Sequence, residues 1–469
     1  MSRRWAWLGV AVALGIAACE SPPDRITGTE MSPNLARGAS RGAIGVNVLL
    51  SSGPTNAMLK QLGDVGTVLD VVPEIHAVTM RVMAGDLPAV RALPFVESAE
   101  PDAERMGSPV DLVPISNFTG GYSTWDLDAI NVTAWPGVMT RAVPYTGAGV
   151  YVGVIDTGLL DSWRQYFPEE RIAEQYGIAF GGGGGEVGTV SSQPNKWEHD
   201  QNSHGTHVTS TIIGYSFRGL PFSGVAPMAT IIPVKVLNQN GSGWSSVVAR
   251  GIIYVADLKA GPLANSPVVI NMSLGGAGSA VENAAIDYAI GKGVIVVASA
   301  GNAGDAGMSF PAAYAPVISV AASGWVGEWK GSPYWWYASD VPDPTNAADY
   351  YITDFSSRAK TGQDLDVAAP GSWVVGPYQT QSGTTSYAFL GGTSMASPHV
   401  AGIVALMAQK NPSLTAPGAE SILQSSAVAL PPGSRTITNP DGTTQVVTWG
   451  ANATGSGLAT ANAALAATP

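Results

Sequence analysis

Four stretches of this 469-residue chain are apolar almost without a break: GVYVGVID (149–156), ATIIPVKVL (229–237), PVVINMSLGG (267–276) and GVIVVASAGN (293–302). Runs of this kind have no solvent-facing side, so they fit strands of a parallel sheet covered on both faces. Between them lie segments with helical spacing, His204 to Ile213, Ser245 to Ala260 and Ala280 to Lys292. Strand alternating with helix predicts an α/β domain with a doubly wound, mainly parallel sheet over residues 124–469. In such sheets reacting groups collect outside the carboxyl ends of the strands, so the chemistry is sought there. Hydrophobic residues are 45% of the chain and charged ones 12%, enough apolar surface for a large core. The net charge of −12 argues against nucleic acid as a partner, which needs basic patches.

The N-terminal part is organised differently. MSRRWAWLGVAVALGIAAC places two arginines before an apolar run from about Leu8 to Ala18. That order predicts an export signal over residues 1–19, and the run is short for a membrane span. Ile16-Ala17-Ala18-Cys19 resembles a bacterial lipobox, which makes Cys19 a candidate lipidation site; ordinary signal cleavage nearby is the other reading. Cys19 is the only cysteine, so no disulfide framework is expected. Residues 20–43 are polar with several prolines and glycines, a flexible linker. Residues 44–105 run through a strand (AIGVNVLL), a helix (Thr55 to Leu62), the alternating HAVTMRV, a second helix (Asp86 to Leu93) and an edge strand in FVESAEPD. The order is β-α-β-β-α-β, a small α+β split-βαβ domain. Residues 106–123 show neither period and read as a second linker.

LGGTSMASPHVAGIV (390–404) sets Ser394 just before a stretch in which Val400, Ile403, Val404 and Met407 share a helix face. Pro398 is expected in the first turn, where proline is tolerated. Ser394 then reads either as a helix cap or as a nucleophile at the positive end of a helix. Two apolar runs end in polar residues: VGVIDTG in Asp156 and VVASAGN in Asn302. An acid there can simply cap a turn. In NSHGTHV, His204 and His207 share a helix face, but zinc helices place two histidines four apart with a glutamate between, so no metal site is assigned. Together Asp156, His204 and Ser394 are an acid, a base and a nucleophile. Serine needs a histidine to take its proton, and the histidine needs a buried carboxylate to hold its tautomer. Asn302 adds an amide donor for an oxyanion.

VIDTG, HGTHV, NMSLGG, ASAGN, LDVAAPG and GTSMASPHVAG follow in this order, and with them the chain resembles the subtilisin-like serine endopeptidases (subtilases) from about Thr124 to GLATANAALA. The order Asp, His, Ser is the one known for subtilisin. The resemblance implies peptide-bond hydrolysis through an acyl-enzyme by Asp156, His204 and Ser394, with Asn302 and the Ser394 N–H as the oxyanion hole and His207 and His399 as structural residues. It implies that Ser273, Leu274 and Gly275 pair with an extended substrate and form one pocket wall, and that Ser299, Ala300 and Gly301 form the other. Glycines there are expected to leave room for a large apolar side chain. Strand addition reads peptide backbone and suits protein or peptide substrates of varied sequence. Residues 44–105 resemble the family's propeptide, an inhibitor and chaperone whose C-terminal tail lies in the active site, with self-cleavage between Arg105 and Thr124. The resemblance implies an exported zymogen, extracellular or in the cell envelope, acting as a monomer and needing no cofactor for catalysis. With Cys19 upstream of the cut, maturation would free the protease from any lipid anchor.

The chain also departs from the family. LLDSWRQYFPEERI follows VIDTG where relatives have a His-Pro-Asp stretch. GYSFRGLPFSG lacks an asparagine-rich calcium turn, and no residues can be assigned to a structural Ca2+, which wants six or more oxygens. GGGGGEVGTVSSQPNKWEHDQN and the aromatic stretch Trp325 to Tyr351 read as insertions. The latter is either a substrate-contacting surface or a loop that packs its own rings. Three rivals remain: an ester-preferring acyl transferase with the same triad, an inactive binding module, and the carboxyl-type branch. An intact Asp156, His204, Asn302 and Ser394 argues against the second, and His204 with Asn302 against the third.

Overall fold

A computed structural model describes residues 42–106, 111–114, 123–134, 141–182, 190–217, 220–379 and 386–469. The export signal, Cys19 and residues 20–41 of the first linker lie outside them, and the linker's last residue, Ala43, begins a strand.

The apolar runs form adjacent strands of one sheet, in the spatial order 350–352, 318–325, 294–299, 268–272, 151–156, 230–235, 178–181 and 191–192, with 367–370 also beside 318–325. Every pairing is parallel except those of the two edge pieces, 350–352 and 191–192. Strands Val268–Met272, Val294–Ser299 and Ile318–Trp325 are buried along their whole length, as two covered faces require. Helices His204–Ile213 and Thr393–Lys410 pack together over strand Tyr151–Asp156, and Ser245–Ala260 and Ala280–Gly291 pack together on the other face. Strand order reverses at Tyr151–Asp156, which has 230–235 on one side and 268–272 on the other. The crevice at such a reversal opens at the carboxyl ends of the strands.

The β-α-β-β-α-β order of the N-terminal region is present as a four-stranded antiparallel sheet, 67–72, 77–83, 43–50 and 96–101, with its own core of Val46, Val48, Leu62, Val78, Met80 and Val90. This module lies on the outer helices. Asp102 caps helix Ser245–Ala260, accepting from Ser246 N at 3.0 Å, Ser245 Oγ at 2.8 Å and Ser246 Oγ at 2.5 Å. Glu100 accepts from Ala280 N at 3.1 Å, at the start of the second outer helix. Arg250 grips Asp70 through two bonds of 2.8 Å. The module explains why helix Ser245–Ala260 is buried around most of its circumference.

The stretch expected to be a linker is in part strand. Glu104–Met106 pairs antiparallel with Ser242–Trp244 on one side and Gly275–Gly276 on the other, and Asp111–Pro114 pairs antiparallel with Tyr387–Gly391. Neither segment shows strand alternation, because the pairing comes from backbone edges offered by distant parts of the chain. Among the described residues no helix is long and apolar enough to cross a membrane.

Candidate active site

Asp156 ends its strand, and Gly158, at φ +90°, turns the chain away. A Cβ on Gly205 would run into the Gly158 carbonyl, so the two glycines let helix His204–Ile213 close against the strand end. The approach is held by Gly205 N donating to Thr157 Oγ1 at 2.8 Å. It sets His204 Nδ1 at 2.8 Å and 3.0 Å from the two Asp156 oxygens, with both side chains fully buried. Nδ1–H donates, which leaves Nε2 as the acceptor. That Nε2 is buried and has no hydrogen-bond partner.

Asp200, not among the expected site residues, builds the turn into this helix. Its carboxylate accepts from Asn202 N and Ser203 N at 2.9 Å and from Thr206 Oγ1 at 3.2 Å, holding Ser203 at φ +76°. Burial pushes the Asp200 carboxyl up to about 6, opposed by nearby Lys235. An Asp that begins a polar turn and accepts from the backbone two residues on is a recognisable turn signal. His207, one turn beyond His204, is held neutral: burial lowers it to about 3, and its Nε2 donates to the Val374 carbonyl at 3.2 Å. His399 bridges Met395 O at 2.8 Å and Asp126 at 2.9 Å, inside the core.

Ser394 is the second residue of helix Thr393–Lys410, whose N-cap position is Gly392 at φ +152° with no side-chain cap. Ser394 is therefore not a cap; its Oγ donates to the Ser273 carbonyl at 3.3 Å. Pro398 is not in the first turn, as expected, but further inside the helix. Lacking an N–H, it leaves the carbonyl four residues earlier, that of Ser394, without its helical donor. Ser273 Oγ supplies the bond instead, at 2.8 Å, and itself accepts from Asn271 Nδ2 at 3.0 Å. Ser397 Oγ donates to Asn271 Oδ1 at 2.7 Å, so the end of strand Val268–Met272 and this helix are knitted together.

Asn302 is fixed to the same helix start. Its Oδ1 accepts from Thr393 N and Thr393 Oγ1, both at 2.9 Å, and Gly301 N donates to Thr393 Oγ1 at 3.1 Å. Committing Oδ1 to Thr393 orients Nδ2 as the free donor, and Nδ2 lies 3.7 Å from the place a Cβ on Gly392 would take. The structure thus gathers Asp156 and His204 in one hydrogen-bonded pair, and Asn302 and Ser394 at one helix start joined by Thr393.

In the expected pocket walls, Leu274, Ser299 and Ala300 are buried, while Gly275 and Gly276 present backbone to strand Glu104–Met106. Ser273 is committed to the Ser394 carbonyl. The space beside Gly275 and Gly301 is taken by Ser309: a Cβ on Gly275 would stand 2.7 Å from Ser309 Cβ, and one on Gly301 2.5 Å from Ser309 Oγ. Within the aromatic insertion, Trp325, Trp335, Trp336, Tyr350 and Tyr351 are buried, and Trp335 stacks on Phe389 at 5.8 Å. The rings pack the insertion onto the domain.

Asp364, Asp366 and Glu420 offer carboxylate oxygens within 4.8 Å of one another. Asp366 already accepts from Ser319 N, Ser319 Oγ and Gln424 Nε2, and burial raises Glu420 to about 7. Three acids with one so engaged fall short of the oxygen shell a hard cation wants, so no ion is assigned.

A doubly wound sheet of this kind, with these motifs at its strand ends, belongs to a known class. The chain is a member of the subtilase family, the subtilisin-like serine peptidases, whose model matches residues 147–457. It is similar to the extracellular serine proteinase of Thermus sp., 32% identical over 413 residues covering 86% of this chain and 85% of that protein. It is also similar to thermitase of Thermoactinomyces vulgaris, 35% identical over 270 residues, 53% of this chain and 84% of that one. Among solved structures, fervidolysin from Fervidobacterium pennivorans, a keratinolytic enzyme related to subtilisin, shares the fold with a TM-score of 0.64 at 24% identity, over 92% of this chain and 62% of that chain.

Proposed function

We propose that the chain is an exported serine endopeptidase that cuts peptide bonds of proteins through an acyl-enzyme and is made as a self-processing zymogen. The observation that carries the reading is the buried Asp156–His204 pair with Nε2 unpartnered, on a helix packed against the one that begins with Thr393 and Ser394. His204 Nε2 takes the proton of Ser394 Oγ as the serine turns away from the Ser273 carbonyl and attacks the scissile carbon. Asp156 holds Nδ1–H and stabilises the imidazolium. The oxyanion is received by Asn302 Nδ2 and the Ser394 N–H, at the positive end of an 18-residue helix. His204 then protonates the leaving amine, and water repeats the sequence on the acyl-enzyme.

The zymogen reading is supported by the path of the N-terminal module. Its tail enters as strand Glu104–Met106 between two cleft strands, the way an added peptide strand binds. After four intervening residues, Asp111–Pro114 lies against Tyr387–Gly391, the strand that leads into Ser394. On this reading residues 44–105 are the pro-region, the cut falls between Arg105 and Thr124, and a lipid on Cys19 would leave with the pro-region. The Thermus relative's name, an extracellular proteinase, supports export. The test is a fluorophosphonate probe, which should label Ser394 in the matured protein and block peptide hydrolysis; hydrolysis that survives complete labelling contradicts the reading.

A further inference from the structure

Strand Glu104–Met106 reads its neighbours by backbone alone, Arg105 lying opposite Gly243 on one side and Gly276 on the other. The Arg105 side chain does something more specific. It is fully buried and turns onto Glu282, itself 1% exposed: Nε donates to Oε1 at 3.3 Å and Nη2 pairs with Oε2. Nη1 donates to the Glu104 carbonyl at 3.1 Å. A Cβ on Gly276 would stand 2.8 Å from Nη1, so the bare glycine opens the space the guanidinium fills. Glu282 is held in place. It lies in the first turn of helix Ala280–Gly291, where the dipole favours a carboxylate, and its N–H donates to the N-cap Ser279 Oγ at 3.4 Å. A planar, two-pronged cation is what such a site fits, and a buried carboxylate without one is costly.

Glu282 belongs to the catalytic domain and Arg105 to the segment read above as the pro-region's tail. When that tail leaves, Glu282 keeps its place beside Gly276 and loses its counter-charge. We infer that Glu282 is a specificity residue, and that the mature enzyme selects peptides carrying arginine, and lysine second, at the position that Arg105 takes. The inference rests on the zymogen reading. The pro-region's tail is then a mimic of the preferred substrate as well as a plug.

The test is cleavage of a randomised peptide library by the matured parent enzyme, with fragments sequenced by mass spectrometry. Arginine should be enriched about 10- to 100-fold over leucine at one fixed place on the amino-terminal side of the cut, as loss of a charge-assisted bond implies. Glu282→Gln should bring that ratio close to one. Because Glu282→Gln also loosens Arg105 and can block maturation, the double variant Arg105→Gln, Glu282→Gln is the second test, and its enzyme should show no basic preference. Cleavage by the parent without basic enrichment, or enrichment that survives either variant, overturns the inference and leaves the peptidase reading standing. No cleavage at all, with Ser394→Ala indistinguishable from the parent, overturns both.

Discussion

The hydroxyl of Ser273 stands in for the backbone donor that Pro398 lacks, bonding the Ser394 carbonyl at 2.8 Å. The residue at the end of a core strand thus fixes the backbone of Ser394, the nucleophile we propose. Ser273→Ala should leave that buried carbonyl unpaired and cost about 1–3 kcal/mol of stability. Urea unfolding in a Ser394→Ala background, which removes self-digestion, measures it; an unchanged midpoint contradicts the role.

Asn302 is held through Oδ1, which leaves its Nδ2 to donate to the oxyanion we propose it receives. Asn302→Ala should lower kcat about 10²–10³-fold with little change in KM, the size already known for losing one such donor in subtilisin itself. Thr393→Val keeps the amide but removes the Oγ1 bonds to Asn302 and Gly301, and should give a smaller loss of kcat. Steady-state kinetics on one peptide substrate separate the two.

His207 should make the fold acid-sensitive. Its folded value is about 3 against an ordinary 6.5, so the unfolded chain takes up a proton that the folded one refuses. The associated stability is fully present above about 6.5 and is lost as pH falls toward 3. Asp200 and Asp128, both raised by burial to about 6, act in the opposite sense, favouring the folded state when protonated and losing that contribution as pH rises. The comparison of parent with His207→Gln isolates the histidine. Their melting temperatures should differ most near pH 7.5 and converge toward pH 4; a gap that is constant with pH contradicts the assignment.

Trp335 is fully buried, stacked on Phe389 and 6.3 Å from Trp125. Trp335→Ala should destabilise the fold by about 3–5 kcal/mol and leave KM for small peptides near the parent value. A raised KM at unchanged stability would make the insertion a substrate surface instead.

Much of this was legible in the sequence, for a physical reason. The strands around Asp156 and Asn302 are apolar because both their faces are covered, and polar residues at their ends stand out against such runs. The exchange between Pro398 and Ser273 was not legible, since it joins positions 125 residues apart through a register only the folded sheet sets. The Arg105–Glu282 pair and the filling of the glycine-lined space by Ser309 escaped for the same reason. Asp111–Pro114 reads as linker in the sequence because its partner, not its own pattern, makes it a strand.

Self-cleavage by Ser394 is tested by the intact mass of the exported chain, parent beside Ser394→Ala. The parent should lose its N-terminal region at a bond between Arg105 and Thr124, and Ser394→Ala should stay joined. If both chains shorten alike, or if both remain full length while folded, Ser394 does not cut its own chain, and the self-processing account is contradicted.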